Sequence, residues 1–190
     1  QIIIRYFNAI IMQKIIKLFH IVKHGFLSDL IINNVAASVE HRNVLSYVNC
    51  KHVIDIGANR GQFALMARKY FPNAKIDSFE PLIKLANGFE SLFSNDNNVF
   101  LHKCAIGSAN SQATLYVSNR DDSSSLFPIG KKQIEIFPGT QESYHEIVTV
   151  APLKDYIQPQ DLIAPVFVKI DVQGFELVVI KGCTDLIEAF

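Results

Sequence analysis

The stretch KHVIDIGANRGQFALMARKYFPNAKIDSFEPL, Lys51 to Leu82, constrains the fold more than any other part of this chain. An apolar run ends around an acid, Asp55. A glycine-bearing turn follows, then a helix-like pattern, then a second run closed by Glu80 and Pro81. A strand, a tight turn and a helix leading into another strand make a βαβ unit, whose strands pair in parallel through a right-handed crossover.

The alternation continues downstream. Apolar runs and turn signals predict strands at 52–56, 75–79, 99–105, 113–117 and 166–170, and helices near 62–71, 82–93 and 174–189. Such a chain folds as an α/β domain with a mostly parallel sheet flanked by helices, a Rossmann-like architecture that binds ligands at the carboxyl ends of its strands. The exception is 118–150, rich in polar and turn-forming residues, which reads as a long loop over that same end of the sheet.

Ahead of this domain, IIIRYFNAIIMQKIIKLFHIVK is mostly apolar, with Gln13, Lys17, His20 and His24 recurring at steps of three and four, the pattern of an amphipathic helix. Arg5, Lys14 and Lys17 interrupt it, so it does not read as a membrane span, and it lacks the small-residue cleavage site of a signal peptide. Three roles are open to it: packing on its own domain, pairing in a homodimer, or contact with a membrane surface. A second amphipathic stretch, 28–48, leads into the first strand. The expected division is an N-terminal helical segment, 1–50, and a domain, 51–190. Because the chain opens on Gln1 and stops at Phe190 inside a helical pattern, the domain is expected to be C-terminally incomplete.

Composition narrows the function classes. With 49% hydrophobic and 19% charged residues the chain is an ordinary globular protein. Its 18 basic residues balance 18 acidic ones and no basic block interleaves with aromatics, which argues against a nucleic-acid partner. Cys50, Cys104 and Cys183 form no C-x-x-C pair, and the histidines show no ligand spacing. Neither a disulfide framework nor a metal is therefore expected, and buried reduced thiols fit a cytoplasmic location.

The turn decides between ligands. A dinucleotide enzyme reads G-x-G-x-x-G, whereas Gly57-Ala58-Asn59-Arg60-Gly61-Gln62 carries Asn59 and Gln62 at the second and third glycine positions. The diphosphate cradle is missing, and so is a Walker A pattern. What remains is a carboxylate at the end of each of two strands. Glu80 lies close to the ~20-residue offset from which an acid accepts hydrogen bonds from both ribose hydroxyls, and Pro81 lets the next helix begin. S-adenosyl-L-methionine, a nucleoside without phosphate that carries a sulfonium, an ammonium and a carboxylate, suits this turn. Its cations favour Asp55, the glycines let the backbone approach, and the helix N-terminus near Gly61 faces its carboxylate. An NAD(P)-dependent dehydrogenase is the weaker reading on the same fold. A noncatalytic interaction or membrane-surface module is the alternative from another class.

Taken in order, VIDIGANRGQF, FEP, LHKCAIGSANSQATLYV, DDSSSL and FVKIDVQGFELVVIKG resemble the FkbM family of S-adenosylmethionine-dependent methyltransferases, over about Val53 to Gly182. The resemblance implies a class I methyltransferase fold, with Asp55, Gly57, Ala58, Asn59 and Gly61 around the methionine part of the cofactor and Glu80 and Pro81 at its ribose. It places Ala105 and Ile106 beside the adenine, Ser124 and Ser125 in a loop closing over the site, and Asp171 facing the transfer site. It also implies O-methylation of a hydroxyl on a sugar or small metabolite, hence a small-molecule or glycan acceptor. Gln173 stands where the family often carries glutamate, and a neutral amide keeps a hydrogen bond but is no base. An alcohol calls for a general base as it attacks, and the candidates are Asp171 and His145. The competing roles are a helix N-cap for Asp171 and a plain surface position for His145.

Overall fold

The computed structural model describes residues 2–23, 25–26, 34–119 and 124–190. Helix α1 (Ile2–Lys23) comes first, then a short helix α2 (Arg42–Tyr47). Strands β1 (His52–Ile56), β2 (Lys75–Phe79) and β3 (Val99–His102) follow, separated by helices α3 (Gln62–Tyr70) and α4 (Ile83–Leu92). Next come β4 (Ala105–Ile106), β5 (Ser111–Ser118), helix α5 (Lys131–Ile136), β6 (Glu142–Ala151), β7 (Val166–Ile170) and helix α6 (Glu176–Gly182).

Four strands form a parallel sheet in the order β3-β2-β1-β7. β1 is central, and all five of its residues are buried, as a strand covered on both faces requires. Alternation along it serves two cores. Val53 packs with Phe63, Met66, Ala67 and Ile76 under α3, in a cluster that also takes Ile21, Ala37, Val39 and Leu45 from the N-terminal segment. Ile54 and Ile56 pack on the other side with Phe79, Leu153, Ile157, Val179 and Leu186.

The stretch 118–150 departs from the expected loop. Beyond 120–123, which lie outside the described residues, it forms α5 and most of β6, and β6 pairs antiparallel with β5 and parallel with β4 in a second sheet. The first half of β6 is polar because it is exposed; only Val148, Val150 and Ala151 are buried. The expected strand 99–105 is likewise split, since β3 joins the first sheet and β4 the second. Of the second amphipathic stretch, 28–33 lie outside the described residues; the remainder is irregular chain, a single 3-10 turn and α2.

A buried polar cluster ties β1, β2 and β3 together. The Asp77 carboxylate takes His52 Nε2 at 2.7 Å, His102 Nε2 at 2.8 Å and Lys75 Nζ at 2.8 Å. Because an ionised carboxylate only accepts, both imidazoles present an N–H to it. Burial pushes the Asp77 carboxyl up, but the hydrogen bonds from His102, His52 and Lys75 outweigh it and hold the group well below the usual carboxylate range. The stabilisation is present above the unfolded carboxyl range and is lost as pH falls through the native value. Asp77→Asn should cost about 3 kcal/mol at neutral pH, since it removes the charged acceptor shared by the buried His52, His102 and the Lys75 ammonium. Urea unfolding checks this, and a loss below about 1 kcal/mol would reduce the cluster to the level of an exposed pair.

Candidate functional site

At the carboxyl end of the parallel sheet lies a cavity of about 390 Å³, within the range of small-molecule sites. The turn after β1 forms one side. Gly57 and Ala58 both donate their N–H to the Phe79 carbonyl at 3.0 Å, which holds the turn against the end of β2. Gly57 adopts φ 81°, and a Cβ there would stand 2.0 Å from the Asp171 carbonyl oxygen, so only glycine lets the end of β1 approach the end of β7. Asn59, at φ 52°, accepts from the Arg60 N–H through its own side chain at 2.7 Å, a local bond that supports the left-handed conformation.

Glu80 stands at the end of β2, where it faces the same cavity. Its Oε2 accepts the Asn59 N–H at 2.9 Å and its Oε1 accepts the Leu82 N–H at 2.9 Å, so one carboxylate fixes two turns. Burial pushes its pKa up to about 7, aided by the negative Asp55 and opposed by the two N–H donors and by Lys169.

Asp55 is placed differently from the sequence expectation. It is fully buried beneath the turn and does not line the cavity. The cation beside it is Lys169 of β7, whose Nζ lies 3.0 Å from Asp55 Oδ1. The same ammonium donates to the Gly57 carbonyl at 2.8 Å, so Lys169 ties the buried carboxylate to the turn above it. Burial raises the Asp55 carboxyl, and Lys169 acts against it. Lys169 itself reaches the cavity, 4.0 Å from Asp171 Oδ2.

Asp171 follows β7 and is about half exposed. It caps no helix; the N-cap of α6 is Phe175, and the Gly174 N–H goes to Glu176 Oε1 at 3.0 Å. Gln173 donates its amide to Asp171 Oδ1 at 2.9 Å and thereby orients the carboxylate. The Gln173 carbonyl in turn accepts the Ser125 hydroxyl at 2.7 Å, and Ser125 bridges to Tyr116 of β5. The serine pair Ser124 and Ser125 therefore lines the cavity, pinned between the two sheets.

Among the residues singled out from sequence, Gly57, Ala58, Asn59, Glu80, Pro81, Ile106, Ser124, Ser125 and Asp171 converge on this cavity. Three others besides Asp55 do not. Gly61 turns the chain at φ 92°, which favours glycine, and a Cβ there would also meet Phe93 at 2.8 Å and Phe89 at 3.1 Å, so it serves the turn and its packing. Ala105 pairs with Val150 in the second sheet, and only its neighbour Ile106 reaches the cavity wall. His145 lies on the exposed part of β6, 64% accessible, with Nδ1 3.2 Å from Glu142 Oε1, away from the cavity lining. Strand geometry had sent its side chain to solvent. Two sets of residues were missed. Lys169 carried a signal, standing two residues before Asp171 on the same strand face. Lys17, Ser38, Glu40 and His41 carried none; tertiary packing brings the N-terminal segment against the turn.

A parallel sheet with a ligand-sized cavity at its carboxyl ends, a glycine turn after the first strand and an acid after the second defines a Rossmann-like α/β domain. The chain belongs to the FkbM methyltransferase domain family, whose model matches residues 55–190. It is similar to "Methyltransferase 1" of Beauveria bassiana, 25% identical over 155 residues, which cover 75% of this chain and 62% of that protein. The chain thus spans less than two thirds of that relative's length. Among solved structures it is similar to coclaurine N-methyltransferase bound to N-methylheliamine and S-adenosylhomocysteine, at 13% identity and a TM-score of 0.32, over 65% of this chain and 49% of that one.

Proposed function

We propose that this chain is an S-adenosylmethionine-dependent methyltransferase acting on a hydroxyl of a sugar or small metabolite, with residues 51–190 as its catalytic body. The observation that carries the reading is Glu80: a buried carboxylate at the second strand end, held by two backbone N–H groups and still facing a cavity of ligand size. The residues present fit the cofactor. The carboxylate has acceptor capacity left for ribose hydroxyls. Ile106, Leu115, Leu82 and Phe175 give apolar wall for a purine, and Lys169 offers a cation for the amino-acid carboxylate.

When bound, S-adenosylmethionine supplies an electrophilic methyl group on a sulfonium, which leaves as the neutral thioether. In this reading Asp171, whose Oδ1 accepts the Gln173 amide, is the base that takes the acceptor hydroxyl proton as its oxygen attacks. Binding alone tests the first half of the reading. Calorimetric titration of the folded chain with S-adenosylhomocysteine should show saturable binding that Glu80→Ala removes; a folded chain that binds nothing would end the proposal. For the base, Asp171→Asn should lower methyl transfer to hydroxylated acceptors by about 10²–10⁴-fold while leaving S-adenosylhomocysteine affinity unchanged. Equal losses in both would make Asp171 a cofactor ligand instead.

A further inference from the structure

Helix α1 is seated with its polar side inward. Lys17, partly buried, reaches Glu40 of the N-terminal segment at 3.5 Å, His20 is partly buried, and Ile21 is the apolar residue of the last turns that enters the core. The opposite face carries Met12, Ile15, Ile16, Leu18, Phe19 and Val22, each 48–63% exposed. Met12, Ile15, Ile16, Phe19 and Val22 fall at helical spacing, so they form one continuous stripe. A contiguous exposed apolar face of this kind marks a contact surface rather than ordinary scatter.

Charge selects the occupant. The helix contains Arg5, Lys14, Lys17 and Lys23 and no acidic residue. On a projection of about 100° per residue, Lys23 falls on the stripe itself, between Met12 and Ile16 at its C-terminal end, and Lys14 lies about 80° beyond the Val22 edge. Two copies of such a helix laid face to face would oppose like charges with no counter-charge on either. An anionic lipid surface offers both an apolar layer for the stripe and negative headgroups for the lysine at the stripe's end, Lys23, and for Lys14 beyond its edge. Among the described residues no helix is long and apolar enough to cross a membrane, so the fitting geometry lies in the plane of the interface. We infer that α1 docks this chain on an anionic bilayer surface through Met12, Ile15, Ile16, Phe19 and Val22. Lys17 of the same helix lines the cavity, so docking sets the cavity beside the lipid interface. The inference stands independently of the methyltransferase reading, because its readout is partition and not activity.

The test is flotation of the whole chain with vesicles of equal parts phosphatidylcholine and phosphatidylglycerol, against vesicles of phosphatidylcholine alone. The chain should float with the anionic vesicles, and less as salt is raised. Ile16→Glu/Phe19→Glu and, separately, Lys14→Glu/Lys23→Glu should each lower the partition coefficient by about tenfold or more. Both pairs are exposed on the helix, and circular dichroism confirms that each variant is folded. The control Ile163→Glu, at an exposed apolar residue elsewhere, should float like the native chain. Failure of the native chain to float with anionic vesicles would overturn the inference, as would flotation unchanged in both variants. A native dimer in analytical ultracentrifugation that Ile16→Glu/Phe19→Glu dissociates would assign the face to a second copy.

Discussion

Gly57→Ala is expected to lose about 3–5 kcal/mol of stability, combining the left-handed backbone cost with overpacking against a rigid neighbour. The neighbour is backbone. The added Cβ would lie 2.0 Å from the Asp171 carbonyl oxygen and 3.0 Å from its carbon. That carbonyl cannot withdraw cheaply, because the Asp171 N–H is bonded to the Ile56 carbonyl at 3.0 Å and Ile56 is in register with Ile170. Relief would require β1 and β7 to part at the end that builds the cavity. In a chain of this size the melting temperature should fall by roughly 10 °C. Gly130→Ala is the matched control, since nothing lies within 4 Å of its Cβ position. A Gly57→Ala loss under about 1 kcal/mol would mean that the turn yields and that the strand ends are less tightly coupled than the hydrogen bonds imply.

The second large effect belongs to Glu80 and depends on pH. Its pKa is raised from 4.5 to about 7. A raised carboxyl binds its proton more tightly in the folded state, so its contribution is fully present below about 4.5 and is lost as pH climbs through about 7. Over that window the ligand-free chain should lose about 3 kcal/mol on this account. The facing groups are Asp55, also raised and acting with the same sign, and Lys169, whose cation limits both shifts. Glu80→Gln should therefore flatten the decline of melting temperature between those pH values, with Asp55 leaving a residual slope. Ligand binding runs the other way. Ribose hydroxyls donate best to the ionised carboxylate, so S-adenosylhomocysteine affinity should rise with pH up to about 7 and level above it. Glu80→Ala should lower that affinity on the order of 100-fold or more, since bonds to a charged acceptor contribute about 1.5–3 kcal/mol each. A native affinity that is flat from pH 5 to 8 would show that the carboxylate is not a ligand for the nucleoside.

Both predictions concern residues legible in the sequence, and the reasons lie in local physics. β1, α3 and β2 follow from apolar alternation and from a glycine pair that only a tight turn would require. β6 was hidden, because a strand whose first half faces water writes a polar pattern that reads as a loop until a partner strand is known. The split between β3 and β4 was hidden for a related reason: two adjacent short strands in different sheets look like one in a linear pattern. The cavity was legible where it is built from strand ends and turns, at Gly57, Glu80 and Asp171. It was not where distant chain supplies the wall, as Lys17 and His41 do.

The sequence by itself determined the parallel core, the turn after β1 and the positions of three acids at strand ends, because each rests on the spacing of neighbours along the chain. Only tertiary structure decided what those acids are. Asp55 became a buried partner of Lys169, Glu80 a carboxyl with a pKa of about 7, and Asp171 a half-exposed group held by Gln173. The apolar stripe of α1 is also legible in the sequence, yet it faces outward because the residue of the last turns that found a core site is Ile21, on another side of the helix. Burial and charge pairing depend on what lies across space, and that is settled only when elements far apart in the chain come into contact.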